Sequence, residues 1–302
     1  MKTLSNDAET LLGVNVSRAW HTTRFKIDLS KPKVMGIVNV TPDSFATHTM
    51  ARKPSCLGSK TWIESSIDLA ASQIKEGADI IDIGAESTRP GAATVSLEME
   101  WERLHPVVKE LLTWKVPISV DTYKPEIMKR ALDMGVDIIN DIWALRQAQA
   151  VQVIASFDCG VCLMHMHAEP ATMQISPMQS DVMQGVKAFL DERVQVCLNS
   201  GVHPSRLILD PGIGFGKTVE QNFTLLKRQA ELHLHDLPLL MGWSRKSSLG
   251  AVTGLDVDKR VTCSVVAAVL AFERGAQVVR VHDVAPTIQG LQVWLHASGL
   301  QS

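Results

Sequence analysis

The sequence predicts an α/β fold: a single (β/α)8 barrel, or TIM barrel, with a short N-terminal extension. Two observations predict it. Eight short apolar runs each lead into polar residues or a glycine, and a helical stretch separates each run from the next. Strands that alternate with helices form a parallel sheet, and an eight-stranded barrel brings all the carboxyl ends to one shared pocket. The polar residues at these ends are therefore candidates for a functional site.

The eight predicted strands are apolar runs, several of them β-branched, that stop abruptly. In the first, Asn39 follows Val38, and Pro42 then forces the chain to turn. In chain order, the runs are residues 34–38, 80–83, 118–121, 138–141, 161–165, 207–210, 239–242 and 278–282.

Helices are predicted between the strands from apolar spacing and from residues that favour helix ends. Residues 62–76 carry apolar side chains at helical spacing, and Gly77 after them favours a C-cap. Pro125 stands at a first-turn position, where the missing N–H is tolerated. The other predicted helices are residues 96–112, 148–157, 181–200, 220–233 and 259–274, and a last helix closes the chain.

Length and composition agree with one domain of ordinary globular type. The chain has 302 residues, of which we assign 1–30 to the extension and 31–302 to the barrel. One such barrel typically needs roughly 250 residues. Hydrophobic residues make up 45% of the chain and charged residues 21%, as expected for a protein with a sizeable core. The net charge of −2 argues against nucleic acid or an anionic membrane as a bulk partner.

A cytoplasmic location is predicted. Residues 1–20 include Asp7 and Glu9 and no apolar block long enough for a signal peptide. No run of about 18 apolar residues indicates a membrane span. Five cysteines are an odd number, which fits a reducing compartment better than a disulfide framework. Cys159 and Cys162 have redox-motif spacing but enter a strand, so we interpret them as partly buried strand thiols.

Asp121, Asn140 and Asp210 end three of the predicted strands. Carboxylates inside a barrel mouth are costly unless hydrogen-bond donors pair with them. A heterocycle with an amino-amidine edge supplies such donors, and Asn140 can both donate and accept. The alternative interpretation is helix capping, since Asp121 lies close to the start of the next helix.

A second set of strand-end residues has the chemistry of a Mg²⁺-pyrophosphate site and consists of Asn39, Arg89, Arg280 and His282. An arginine fork suits phosphate, histidine adds donors, and a neutral asparagine oxygen suits Mg²⁺. Alternatively, Arg280 and His282 share a strand face and pair inside the barrel with acids such as Glu86 or Asp283.

Three further features have competing interpretations. Lys246, just past the seventh strand, either holds an anionic substrate or flat ring or is a solvated loop lysine. His165 and His167 share a strand face, but no third metal ligand is evident, which favours a role as polar residues at the strand end.

The glycine-rich stretch 212–218 is not a phosphate-binding loop, because Pro211 occupies the position of that motif's first glycine. We expect its glycines to let the backbone approach a flat ligand, the alternative being a turn without a ligand.

Nine stretches together resemble the dihydropteroate synthase family of folate biosynthesis. They include Asp-Pro-Gly-Ile-Gly-Phe-Gly-Lys at 210–217 and Ser-Arg-Lys-Ser at 244–247. The others are residues 38–45, 77–84, 86–91, 119–122, 139–141, 163–166 and 280–283. The resemblance runs in order over roughly residues 24–294, and it is specific because all nine stretches match together.

The resemblance implies a transferase that joins 6-hydroxymethyl-7,8-dihydropterin pyrophosphate to para-aminobenzoate and releases pyrophosphate. It implies Mg²⁺ as cofactor, held by Asn39, and a homodimer. Pyrophosphate would be bound by Asn39, Arg89, Arg280 and His282. The pterin would be bound by Asp121, Asn140, Asp210, Lys246, Met164 and Gly242. The para-aminobenzoate would be surrounded by Phe45, Thr88, Arg89, Pro90, Phe215, Lys246 and Ser247. The catalytic residues would be Asp121, Lys246, Arg280 and His282.

One departure from the family concerns the first loop. Family members usually continue Asp-Ser-Phe as Ser-Asp-Gly-Gly, whereas here Phe45 is followed by Ala46, Thr47 and His48. Thr47 thus replaces an aspartate that would meet Mg²⁺-pyrophosphate. Two alternatives to the synthase stay open: a corrinoid-linked methyltetrahydrofolate methyltransferase, which shares the barrel and the pterin carboxylates, and a degenerate pterin-binding paralogue.

Overall fold

The strands form the predicted barrel in a computed structural model that describes residues 16–40, 61–87, 94–168 and 177–299. A short antiparallel hairpin, β1 (Ala19–His21) and β2 (Lys26–Asp28), precedes eight barrel strands. The barrel strands are β3 (Lys33–Asn39), β4 (Ile80–Gly84), β5 (Ile118–Asp121), β6 (Ile138–Asp141), β7 (Gly160–Met164), β8 (Leu207–Asp210), β9 (Leu240–Met241) and β10 (Val278–Val281).

The barrel strands are parallel and pair in the order β8-β7-β6-β5-β4-β3-β10-β9. A parallel bridge between Leu209 and Leu239 joins the two outer strands of this order, and Leu209 N–H donates to Pro238 O at 2.9 Å. The ring is therefore closed, which confirms the predicted (β/α)8 barrel.

The helices lie where apolar spacing predicts them, with one addition and several shorter ends. They are α1 (Trp62–Lys75), α2 (Leu97–Leu111), α3 (Pro125–Asp133), α4 (Ala150–Ala155), α5 (Val182–Asn199), α6 (Val219–Lys227), α7 (Ser247–Thr253), α8 (Val261–Glu273) and α9 (Val284–Ala297). The predicted helix 220–233 was too long, because the chain leaves α-helical geometry after Lys227 and continues as 3-10 turns. The short helix α7 was not predicted.

Strand alternation separates the barrel into two chemically different layers. A floor of buried apolar residues fills its lower interior and includes Met35, Ile80, Ile138, Cys162, Ile208, Leu240 and Val278. Side chains two positions further along a strand point to the same face. That step leads to four polar residues, Asp82, Asn140, Asp210 and Arg280, and on the other three strands to Ile37, Met164 and Gly242. The fold thus places one polar layer directly above the apolar floor.

Part of the predicted N-terminal extension seals the lower end of the barrel. Trp20 is fully buried against the floor residues, and its indole N–H donates to Arg206 O at 2.9 Å. Arg24 forms an ion pair at 2.6 Å with Asp137, a carboxylate that is itself fully buried. The boundary at residue 30 stays a prediction, although residues 16–29 pack on the barrel.

The remaining expectations concern thiols and membrane helices. Cys159 and Cys162 are buried free thiols, and burial raises the pKa of Cys159 to about 11. A thiol held protonated in this way is a poor nucleophile. Within the described ranges, no helix is long and apolar enough to cross a membrane.

Candidate active site

At the centre of the polar layer, the Arg280 guanidinium lies between two carboxylates. Its Nε donates to Asp82 Oδ2 at 2.6 Å, and its Nη2 donates to Asp121 Oδ2 at 2.7 Å. Burial alone would lower the pKa of Arg280, but these two acids raise it. Burial raises the pKa of Asp121 to about 7, against the opposing effect of Arg280. The structure therefore brings together Asp121 from the first set of strand-end residues and Arg280 from the second.

Asn140 is the register partner of Asp121 on the neighbouring strand and shares its layer. Its Nδ2 donates to Asp82 Oδ2 at 3.2 Å. Asp141, the next residue, points away from the interior and accepts 2.7 Å hydrogen bonds from Trp143 N–H and Leu145 N–H. Because successive side chains of a strand point to opposite faces, Asn140 faces the site and Asp141 binds the following turn.

Asp121 does not cap the next helix, so the alternative interpretation of this residue is wrong. Helix α3 begins after Lys124, and no side chain caps it. The carboxylate of Asp121 is instead committed to Arg280.

Asp210 enters the same layer from β8 and is held by the turn that follows it. Its Oδ1 accepts the Gly212 N–H at 2.7 Å. Burial raises the pKa of Asp210, opposed by that hydrogen bond and by the positive charges of Lys246 and Lys217. The carboxylate is 6% exposed, so it faces a restricted space next to two lysines.

The glycines of the 212–216 turn serve mainly packing between chain segments. A Cβ on Gly212 would lie 1.8 Å from His165 O, and one on Gly216 would lie 2.4 Å from His167 O. Both glycines have positive φ, of 68° and 67°. The backbone after β7 occupies the space that a side chain would need, so packing explains both glycines. The expectation that the glycines of this stretch let the backbone approach a flat ligand stays a prediction.

Lys217 is a site residue that sequence analysis missed. Its Nζ donates to Gly212 O at 2.8 Å, Phe215 O at 3.1 Å and His165 O at 3.4 Å. Burial lowers the pKa of Lys217 to about 7. The ammonium ties the glycine turn to the end of β7 and fixes the position of Phe215.

Lys246 is half-buried, which excludes the solvated-lysine interpretation. Its Nζ lies 4.3 Å from the centre of the Phe215 ring, a cation–π contact. Burial lowers the pKa of Lys246 to about 8, while the charge of Asp210 acts in the opposite direction. Ser247 is exposed at the start of α7, and Gly242 directly follows β9.

His282, just past β10, is fixed by the loop that carries Lys246. Its backbone N–H donates to Ser244 Oγ at 3.1 Å, and that oxygen lies 3.0 Å from His282 Nδ1. Asp283 pairs with Arg245 at 2.6 Å, and Arg245 has a positive φ of 58°. The loops after β9 and β10 are thus joined by both a hydrogen bond and an ion pair.

The alternative interpretation of Arg280 is right in that it pairs with acids inside the barrel, but wrong about which acids these are. Asp283 pairs with Arg245, and Glu86 pairs with Lys124 at 2.5 Å. Arg280 instead uses Asp82, whose mid-strand position gave no sign of a site role in the sequence.

Met164 belongs to an apolar wall at the mouth of the barrel. The wall consists of Ile142, Met164, Met166 and Phe215, with Tyr123 and Trp143 packed against it. The Tyr123 and Trp143 rings stack with centroids 5.5 Å apart. A flat ring entering above the acids would therefore meet apolar surface on this side.

The structure gives no support for metal ligation by His165. Burial lowers the pKa of His165 to about 2, and its ring meets the Phe189 ring edge-on at 5.0 Å. Among the residues described, no group of three or more His, Cys, Asp or Glu side chains could hold a metal ion. Asn39 ends β3 beside Gly84 and is half-buried.

Several predicted residues lie outside the described residues. They are Phe45 and Thr47 in the first loop and Thr88, Arg89 and Pro90 in the second.

The family follows from comparisons with known proteins. A family model described as "Pterin binding enzyme" matches residues 35–282. Dihydropteroate synthase of Neisseria meningitidis serogroup B is 47% identical over 281 residues, which cover 91% of this chain and 96% of that protein. The chain belongs to the dihydropteroate synthase family.

Solved dihydropteroate synthases share the whole architecture. The Xanthomonas albilineans enzyme with 4-aminobenzoic acid has a TM-score of 0.86 and 41% identity, covering 95% of this chain and 100% of that one. The Burkholderia cenocepacia enzyme complexed with 7,8-dihydropteroate has a TM-score of 0.83 and 40% identity, covering 95% and 99%. These matches extend the dihydropteroate synthase assignment to nearly the full chain.

For a dihydropteroate synthase, the arrangement offers acids and cations in adjacent positions. Asp121, Asn140 and Asp210 offer acceptors, while Arg280 and Lys246 offer donors within one layer. The apolar wall borders this layer. Such a site can bind a flat polar ring and an anion side by side.

The glycine turn supplies a test of the site's construction. Gly212→Ala is expected to destabilise the fold by clearly more than Gly254→Ala and to weaken pterin binding, because its Cβ would meet His165 O. Gly254 is a matched control, with φ of 69° against 68° and nothing within 4 Å of its Cβ position. Backbone strain alone costs about 1–2 kcal/mol. Urea denaturation measures both variants, and equal losses would contradict the packing described.

Proposed function

We propose that this protein joins 6-hydroxymethyl-7,8-dihydropterin pyrophosphate to para-aminobenzoate, forming 7,8-dihydropteroate and pyrophosphate. The observation that carries the proposal is the contact between Asp121 and Arg280 at 2.7 Å, where the predicted pterin and pyrophosphate sets meet. The similar proteins are dihydropteroate synthases, and two of their structures contain 4-aminobenzoic acid or 7,8-dihydropteroate, which supports the same reaction.

The pterin ring would be recognised by Asp121, Asn140 and Asp210. Carboxylates accept hydrogen bonds from a pterin's amino and ring N–H groups, and the Asn140 amide can meet both donors and acceptors. Met164 and Phe215 belong to the apolar wall, which would cover one side of the ring. Binding in this place would set the methylene carbon of the substrate towards the cationic residues.

Pyrophosphate departure would be assisted by Arg280 and His282. As the carbon–oxygen bond breaks, negative charge grows on the leaving group, and the fixed guanidinium and imidazole would stabilise it by hydrogen bonding. The electron-deficient pterin methylene left behind is favoured by the nearby charges of Asp121 and Asp210. The aniline nitrogen then attacks that carbon and loses a proton, so no strong general base is required.

Mg²⁺ is proposed as the cofactor, with Asn39 as its protein ligand. Mg²⁺ commonly keeps several waters and binds through one or two protein oxygens together with substrate phosphates. A single neutral amide oxygen fits that pattern, and β3 lies between the strands that carry Asp82 and Arg280. When bound, the ion would neutralise part of the pyrophosphate charge.

Para-aminobenzoate would lie beside Lys246, Phe215 and Ser247. The ammonium of Lys246 could meet its carboxylate or the pterin, since the lysine lies between Phe215 and the acidic layer. Thr88, Arg89 and Pro90 are proposed as further contacts on the resemblance alone.

A homodimer and a cytoplasmic location are proposed as well. Support for the dimer comes from exposed apolar side chains on consecutive helices, Val252 of α7, Val266 of α8 and Val293 of α9. Support for the location comes from the cysteine usage, since an odd number of cysteines fits a reducing compartment.

An assay of pyrophosphate release with both substrates tests the reaction. Wild-type protein should release pyrophosphate only when both are present, and Asp210→Ala should weaken pterin binding roughly ten- to hundredfold, the effect of losing a charged hydrogen-bond acceptor. Asp133→Ala, an exposed carboxylate of α3, is the control and should leave activity unchanged. No release by the wild type would contradict the proposal and favour a binding-only paralogue or a methyltransferase.

The pH dependence of kcat/KM for the pterin substrate should be bell-shaped. Asp121 acts as a carboxylate, so activity should rise with pH through about 7 as it loses its proton. Lys246 acts as a cation, so activity should fall above about 8 as it becomes neutral. Asp121→Asn should remove the acid limb and leave the alkaline limb. An acid limb that persists unchanged in Asp121→Asn would assign it to another group.

A further inference from the structure

Asp82 is a fully buried carboxylate in the middle of β4. Its neighbours Ile81 and Ile83 face the helices, whereas Asp82 faces the barrel interior opposite Ser119 of the next strand. A buried charge of this kind is destabilising unless donors pair with it. Its presence therefore needs an explanation beyond packing.

One oxygen of Asp82 accepts hydrogen bonds from two residues, which the proposed function assigns to different parts of one substrate, its pyrophosphate and its pterin ring. Asp82 Oδ2 accepts from Arg280 Nε at 2.6 Å and from Asn140 Nδ2 at 3.2 Å. Arg280 belongs to the pyrophosphate half of the site and Asn140 to the pterin half. The two halves therefore meet at a single carboxylate below them.

We propose that Asp82 is a positioning residue that couples the pterin half-site to the pyrophosphate half-site. The inference rests on the proposed function, because it takes the roles of Arg280 and Asn140 from there.

The first effect of Asp82 is on Asn140. A carboxylate only accepts hydrogen bonds, so Asn140 must turn its NH₂ group towards Asp82 and its oxygen away. The amide is thereby fixed in one of its two orientations. A pterin edge above it meets a defined acceptor instead of an amide that can flip.

The second effect concerns Arg280, whose guanidinium donates hydrogen bonds to two carboxylates. Arg280 Nη2 also pairs with Asp121, which the pterin needs as an acceptor. Pyrophosphate that draws the guanidinium away from Asp121 frees this carboxylate for the pterin, while Asp82 still anchors Nε. Pyrophosphate should therefore strengthen pterin binding, and linkage requires the reverse effect to be equal.

Calorimetric titration of the full chain tests this coupling. The probes are 6-hydroxymethylpterin and pyrophosphate with Mg²⁺, each titrated alone and in the presence of the other. In the wild type, each probe should strengthen binding of the other. In Asp82→Asn, both affinities should fall roughly ten- to hundredfold, as for misplaced site groups, and the mutual strengthening should disappear.

Ser119→Ala is the matched control, since it alters a buried polar residue at the same level of the neighbouring strand. It should bind both probes and retain the coupling. If Asp82→Asn does not fold, Asn140→Ala replaces it, because it removes one of the two donors to Asp82 and should also abolish the coupling.

A double-mutant cycle with Arg280→Lys separates positioning from a merely structural role. If Asp82 acts through Arg280, the double variant should bind pyrophosphate no more weakly than Arg280→Lys alone. Additive losses, or unchanged affinities and coupling in Asp82→Asn, would overturn the inference while leaving the reaction intact. A wild type that binds neither probe would contradict the proposed function itself.

Discussion

The buried ion pairs of Arg280 are the interaction on which the rest of the site depends. Taking a guanidinium and two carboxylates into a barrel costs solvation energy that mutual attraction only partly offsets. Here one cation is shared by Asp82 and Asp121, so negative charge is left over in the layer. That excess gives the site its capacity for a ring rich in N–H donors. Burial raises the pKa of Asp121 to about 7 even though Arg280 pairs with it.

The barrel makes this arrangement rigid. The strand backbone sets the height and direction of the polar residues. Four of them stand two positions above an apolar floor residue: Asp82, Asn140, Asp210 and Arg280. Above the layer, Lys217 ties the glycine turn to the end of β7, and the Ser244 and Arg245 contacts join the loops after β9 and β10. The groups meeting the ligand are thus held before it arrives, which lowers the cost of binding.

Much of this was predictable from the sequence, because the pattern that makes a strand also sets where it ends. The apolar runs predict the barrel, and Asp121, Asn140 and Asp210 at their ends do lie in one layer. Asp82 was missed because its partners are distant in sequence, and only the strand register brings Arg280 and Asn140 to it. Lys217 was missed because its role depends on backbone carbonyls, which carry no sequence signal. In the hairpin, a strand was expected around residues 24–29, where β2 lies, but β1 was not expected, since strands of three residues show little periodicity.

The most direct measurement is a crystal structure of the protein with 7,8-dihydropteroate and pyrophosphate. The account predicts a pterin ring within hydrogen-bonding distance of Asp121, Asn140 and Asp210, with pyrophosphate against Arg280 and His282. A ring held elsewhere in the barrel, or touching none of these three side chains, would contradict it.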